Sequence, residues 1–260
     1  MAKRRRKKKS PIIIKAIVIV TIVIAICVFF SDITSFFKPL TQKTENYSNI
    51  KNSLKDYSVF GIDVSEYQEN INWKELIKED APDFIIIRAT AGKNKLDEKF
   101  LTNWKSAEDN EIIRGAYHYY RPDEKSSEQA EFYIKNVILK EGDLPPILDI
   151  EKYSKVQSLN SLKSGLLNWL TIIEKHYGIT PILYTYNKFY TNALIDDTRF
   201  AKYPVWIAWY NTNKDPATII KDWIFWQYTD KGRIKGIEGN VDVNVFNGKL
   251  QDLDGLRKKD

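Results

Sequence analysis

Eight short apolar or aromatic runs follow one another between residues 59 and 246, and helix-type segments separate the early ones. The runs cover residues 59–64, 84–90, 112–119, 146–151, 181–186, 204–209, 223–229 and 241–246. Each has strand length, and most are apolar throughout rather than alternating. That pattern marks a parallel sheet buried on both faces. Helix-type stretches lie at 72–79, 95–110, 124–140 and 158–177. The last ends in Lys175-His176-Tyr177-Gly178, a basic helix C-terminus with glycine beyond it. Eight such strands with intervening helices predict a closed β/α barrel. Connections after the sixth and seventh runs, 210–222 and 230–240, are short and rich in Asn, Asp, Pro and Gly. They hold no full helix. The expected fold is therefore an α/β, irregular (β/α)8-type TIM-like barrel with eight strands and an incomplete helix ring. An open flavodoxin-like sheet is the alternative, but it needs phosphate-loop glycines after the first strand. Asp63-Val64-Ser65-Glu66-Tyr67-Gln68 offers none.

The barrel accounts for residues 58–260. Residues 1–10 form a basic tail and 11–30 an apolar stretch broken only by Lys15. With a snorkelling Lys15, this stretch approaches the roughly 20 residues that span a bilayer. The positive flank should stay cytoplasmic, which sends the C-terminal domain across the inner membrane, to a periplasmic or extracellular face. Ser31-Asp32-Ile33-Thr34 supplies no small-x-small cleavage site, so an uncleaved transmembrane signal anchor is favoured over a cleaved signal peptide. Residues 31–57 are polar and read as a linker. Cys27 is the only cysteine, and Ile26 before it argues against lipidation. The exported part cannot form disulfides, and its stability must come from its core.

The chain carries a net charge of +6. Lys3 to Lys9 contribute seven positive charges and Lys15 an eighth, so the remainder nets −2. The domain thus has no electrostatic footprint for nucleic acid.

Chemistry concentrates at the strand ends. Pro146-Ile147-Leu148-Asp149-Ile150-Glu151 finishes an apolar run with two carboxylates, two residues apart and so on one face of a strand. Burying two acids together is costly in desolvation, and chemistry is the usual reason for a chain to bear that cost. The first run adds Asp63 and the eighth Asp242, and these two strands are neighbours in a closed barrel. Four acids would then meet at the C-terminal rim, where parallel barrels carry their reactive groups. The domain has two histidines, His118 and His176, and no cysteine, so a metal reading is weak. His176 reads as a helix C-cap. His118 reads as a packed strand residue rather than a pocket residue. A Gly-x-Ser-x-Gly elbow is absent. Carboxylates alone point to glycosidic bond hydrolysis, without a cofactor.

These features sit in a series of motifs. They are Gly61-Ile62-Asp63-Val64-Ser65-x-x-Gln68, Arg114-Gly115-Ala116-Tyr117-His118, Pro146 to Glu151, and Ile182-Leu183-Tyr184-Thr185. Val205-Trp206-Ile207-Ala208-Trp209-Tyr210, Trp226-Gln227-Tyr228-Thr229 and Val241-Asp242-Val243-Asn244 follow. In this order they resemble the glycoside hydrolase family 25 lysozymes, the Chalaropsis-type N-acetylmuramidases. The resemblance implies cleavage of the β-1,4 bond between N-acetylmuramic acid and N-acetylglucosamine in peptidoglycan glycan strands. It implies Glu151 as general acid and Asp149 as its ionised partner, orienting the substrate's N-acetyl group or stabilising an oxocarbenium-like transition state. Asp63 and Asp242 would hold the sugar and tune the charge. Tyr117, Tyr119, Tyr184, Trp209 and Gln227 are candidates for the groove lining, although strand alternation forbids all of them from pointing inward. One departure stands out: where the family often has Lys-x-Thr-Glu-Gly, this chain has Arg88-Ala89-Thr90-Ala91-Gly92. That affects subsites rather than the central acids. The expected partners are peptidoglycan and, through the N-terminal helix, the lipid bilayer, with the protein a monomer.

Two rival functions remain at this stage. A chitinase-like hydrolase would want a longer acidic run, and 143–151 lacks its middle acid. A non-catalytic wall-binding barrel would tolerate loss of Asp149 or Glu151, yet both are present.

Overall fold

The computed structural model describes residues 44–210 and 215–259. The apolar stretch expected to span the membrane lies outside the described residues. Among those described, no helix is long and apolar enough to cross a membrane.

All eight runs form strands: β1 (Phe60–Val64), β2 (Phe84–Ala91), β3 (Ile113–Tyr119), β4 (Ile147–Asp149), β5 (Ile182–Tyr186), β6 (Val205–Ala208), β7 (Trp223–Arg233) and β8 (Val241–Phe246). β1 to β7 pair in sequence and in parallel. β8 closes the barrel by pairing antiparallel with both β7 and β1. The all-parallel expectation therefore fails at the last strand. The connection from β7 to β8 is too short for a helical crossover, so the chain turns back as a hairpin. Asp242 consequently lies at the start of its strand, not at its end. Reversal still brings it to the rim, where Asp242 pairs in register with Asp63.

Strand alternation sorts the side chains. Odd residues of β4, Ile147 and Asp149, point into the barrel, while Leu148 joins the layer under the helices. The lower interior is apolar and filled by Phe84, Ile86, Ile147, Ile182, Trp206 and Phe225. Phe84 needs Gly61 as its neighbour: a Cβ there would meet the ring at 2.3 Å. The upper interior is polar, with Asp63, Asp149, Gln227 and Asn244 all buried. A register shift between Arg88 and Thr90 changes the facing of β2 midway. Arg88 reaches the cleft, whereas Thr90 turns outward to meet His118 Nδ1 at 2.7 Å.

The helix ring is incomplete, as the spacing predicts. Four helices cover the first half: α2 (Trp73–Asp80), α3 (Phe100–Asp109), α4 (Ser126–Asn136) and α5 (Leu159–Tyr177). α5 buries Leu162, Leu166, Trp169, Leu170 and Ile173, a stripe of helical period, and ends at Gly178 in the left-handed conformation. Burying such side chains contributes about 1.5–3 kcal/mol each. Its Trp169 stacks on His118 at 5.4 Å. His118 is fully buried there, on the outer face of the sheet, so it is a packed strand histidine. Between β5 and β7 only short helical turns occur among the described residues.

The segments before the first strand and after the last also differ from the sequence expectation. The polar linker was expected to run to residue 57, but its second half is folded. Glu45–Asn46 pairs with Gly232 and Arg233 of β7, and α1 (Tyr47–Ser53) follows, capped by Asn46. Tyr47 and Ile50, one helical turn apart, are fully buried against the barrel. A last helix, α6 (Leu250–Leu256), seals the base with Leu253.

Candidate active site

Asp63, Asp149, Glu151 and Asp242 all line one cleft at the rim. It comprises a cavity of about 510 Å³ and an adjoining one of about 160 Å³, and all four acids border both. β4 pairing ends at Asp149, but the Ile150 amide still donates to the Tyr184 carbonyl at 3.0 Å. Thr185 Oγ1 donates to the Ile150 carbonyl at 2.5 Å. The extended geometry thus continues one residue past the strand. Glu151 is carried above Asp149 on the same side and is only half-buried.

Of the two buried cleft acids, Asp63 is the one with hydrogen-bond donors, both of them amides. Gln227 Nε2 and Asn244 Nδ2 both donate to its Oδ2 at 2.8 Å. Gln227 Oε1 in turn accepts from the Tyr184 hydroxyl at 2.7 Å and from the Tyr210 hydroxyl. Asn244 Oδ1 accepts from Trp206 Nε1 at 2.9 Å. Every amide is thereby oriented, with its nitrogen toward the carboxylate.

The four acids cannot all ionise. Burial raises the Asp63 pKa, and the two amides oppose that rise. Asp242 is pushed up to about 9, by burial and then by the negative charge and hydrogen bond of Asp63. Of this pair Asp242 holds the proton, because the amides stabilise the Asp63 anion. Burial pushes Asp149 well above the usual carboxylate range, and repulsion from Glu151 and Asp63 adds to it. Its Oδ1 is buried without a hydrogen-bond partner. Burial also raises Glu151, against the opposing charge of Lys152 and a hydrogen bond from Tyr186. Burial thus works against an ionised Asp149 beside a protonated Glu151. Asp149 is the more strongly desolvated of the two.

Four of the five predicted lining residues reach the cleft: Tyr117, Tyr119, Tyr184 and Gln227. Trp209 does not. It packs outside the barrel against the cluster of Val205, Ile207, Trp223 and Trp226. Trp206, Ala208 and Tyr210 face inward in this segment, so pleating sends Trp209 the other way. Sequence reasoning missed Tyr186, Tyr210, Arg88, Tyr67 and Asn244. Counting by twos from Tyr184 and Trp206 would have found the first two. Asp143, which begins the acidic stretch a chitinase-like reading would use, sits away from the cleft and binds Arg114 at 2.7 Å.

A barrel whose polar mouth gathers four carboxylates, flanked by tyrosines and, among the described residues, with no serine–histidine or cysteine–histidine pair, has the site of a glycoside hydrolase. Comparison with known proteins agrees. The sequence profile of Glycosyl hydrolases family 25 matches residues 62–237. Lysozyme M1 of Streptomyces globisporus is 33% identical over 206 residues, covering 75% of this chain and 70% of its own. YegX of Escherichia coli K12 is 37% identical over 210 residues, covering 78% of this chain and 76% of its own. The structure of a family 25 glycosyl hydrolase from Bacillus anthracis superposes with a TM-score of 0.73 at 31% identity, covering 84% of this chain and 99% of that one. The chain belongs to glycoside hydrolase family 25.

Proposed function

We propose that the domain is a peptidoglycan hydrolase of the muramidase type, cutting the β-1,4 bond between N-acetylmuramic acid and N-acetylglucosamine. The convergence of Asp63, Asp149, Glu151 and Asp242 on one cleft carries this reading. Relatives named lysozyme and N,O-diacetylmuramidase support the substrate.

Glu151 is the proton donor. Glu151 and Asp242 are the two partly exposed acids of the four, and Asp242 is engaged with Asp63, so Glu151 is the one free to reach the leaving glycosidic oxygen and exchange its proton with water. Asp149 acts below it. Its carboxylate borders the cleft and suits the N–H of the substrate's acetamido group. That bond would favour the Asp149 anion as positive charge develops on the sugar or the acetamido group. Asp63, held by its two amides, keeps a fixed negative charge beneath the ring, and Asp242 donates to it.

The test is mass spectrometry of products from defined peptidoglycan, comparing wild type with Glu151→Gln. New muramic acid reducing ends, lost in the variant, are expected. New glucosamine reducing ends, or undiminished clearing by the variant, would sink the assignment. For localisation, the basic and apolar N-terminal segment supports an uncleaved anchor that displays the domain beyond the cytoplasmic membrane. Protease treatment of intact spheroplasts should remove the domain. Its protection would refute that orientation.

A further inference from the structure

We propose that Tyr67 is a stacking platform for a sugar ring of the glycan strand away from the scissile bond, and that Arg88 positions it. The proposal rests on the muramidase reading. Tyr67 lines the cleft, yet it is 77% exposed. Exposed aromatics normally owe nothing to their surroundings. This one stands on a turn fixed from every side.

The turn, Glu66–Gln68, is closed by a reciprocal cap. The Tyr67 amide donates to Ser65 Oγ at 3.3 Å, and the Ser65 amide donates to Gln68 Oε1 at 2.8 Å. The Glu66 amide donates to Asp97 Oδ2 at 2.9 Å. Gln68 Nε2 reaches across to the Asn240 carbonyl at 3.3 Å, tying the turn to the approach to β8. Arg88 completes the frame. Its Nε binds Asp97 at 2.8 Å and a terminal nitrogen binds Glu66 at 3.0 Å. The guanidinium carbon then lies 4.7 Å from the centre of the Tyr67 ring. One face of the ring is covered by a flat cation and the rest is open to solvent. A lysine ammonium could neither bridge both acids as a fork nor lie flat on the ring.

Ala91 belongs to the same arrangement. It pairs in register with Lys95, and Lys95 binds Glu66 at 3.0 Å. A carboxylate at position 91 would compete with Glu66 for that lysine. It would also fill the cleft between Tyr67 and the acids, where Ala91 leaves room. The two positions at which the chain departs from the Lys-x-Thr-Glu-Gly pattern thus act together. They shift the ionic anchor onto the turn and hold Tyr67 as a rigid wall. Its natural occupant is the apolar C–H face of a pyranose, here an N-acetylated amino sugar. Ordering is already complete before binding, so little entropy is lost on contact.

The experiment is a chain-length series. Cleavage of muramic acid–glucosamine oligosaccharides from tetrasaccharide to octasaccharide is measured for wild type, Tyr67→Phe, Tyr67→Ala and Arg88→Lys. Tyr67→Ala should lose about five- to tenfold in kcat/KM on the octasaccharide, through KM, and far less on the tetrasaccharide. Tyr67→Phe should restore the length dependence. Arg88→Lys should reproduce part of the KM defect, again growing with length. A loss that is equal at all lengths, or absent, overturns the proposal. So does a fall in kcat and melting temperature that accompanies Arg88→Lys without a length trend. Calorimetric binding of the octasaccharide to the Glu151→Gln protein, with and without Tyr67→Ala, decides the platform independently. If wild type gives no muramic acid reducing ends at any length, the muramidase reading fails, and this binding measurement still judges Tyr67.

Discussion

Replacing Asp149 by asparagine should make the domain more stable and almost inactive. Asp149 is 4% exposed, its Oδ1 is orphaned, and Glu151 and Asp63 repel its charge. Its folded pKa therefore lies well above the unfolded value of about 3.9. A group shifted upward stabilises the fold fully below its unfolded pKa, and that stability is lost as pH rises toward the folded pKa. Between pH 4 and pH 7 an acid that stays protonated throughout would forfeit at most about 4 kcal/mol, at 1.36 kcal/mol per pH unit. Neighbouring acids share the repulsion and relax together, so about 1–2 kcal/mol is the expected cost at pH 7. In a domain of this size that is a gain of roughly 2–8 °C in melting temperature for Asp149→Asn at pH 7. At pH 4 the gain should nearly vanish, because the folded acid is then neutral and the unfolded one only about half ionised. Activity should fall about 10²–10³-fold, the usual loss when one group aimed at developing charge is removed. Paired calorimetric melts at pH 4 and pH 7 check the reasoning. A variant that melts below wild type at pH 7, or a gain independent of pH, would refute it.

Three further outcomes follow from the geometry. Lys152→Met removes a cation that favours ionised Glu151, so the alkaline limb of the pH–activity profile should move up. A downward move would contradict Glu151 as the acid. Gly61→Ala should cost about 1–3 kcal/mol in urea melts, since Phe84 fills the space its Cβ would need. An unchanged midpoint would show that the plug is loose. His118, held down at about 4 by burial, stabilises the fold in its neutral form, and that contribution is lost as pH falls from 6.5 toward 4. His118→Gln should melt lower at neutral pH yet flatten the decline over this window.

The elements most legible in the sequence are those whose pattern is local. β4 and α5 announce themselves by continuous apolar strand character and a helical stripe, and both formed where expected. Strand direction is not a local property. The reversal of β8 was visible only indirectly, in Asp242 standing second in its run, where an upward strand would have buried it at the base. α1 was hidden because Tyr47 and Ile50 alone carry its apolar face, too few for a periodicity to register. Four carboxylates were found because acids in apolar strands are conspicuous. Gln227 stands among the lining candidates, but Asn244, equally buried, does not, because a neutral amide attracts less notice, and only the fold shows both aimed at one oxygen of Asp63. Trp209 was misplaced because its composition suggested a sugar platform while its parity said otherwise. Tyr67 lines the cleft and has the exposure that Trp209 lacks.

The reversed eighth strand also sets where the chain begins and leaves the domain. Glu45–Asn46 runs beside Gly232 and Arg233, at the cleft end of β7. A barrel of eight upward strands would deliver its C-terminus to that same end. Here β8 descends, and the chain leaves at the floor, where Lys258 exchanges backbone hydrogen bonds with Gly142 and Asp143. The two termini of the folded unit are therefore at opposite poles. Cargo fused at the C-terminal end would hang from the pole remote from the glycan.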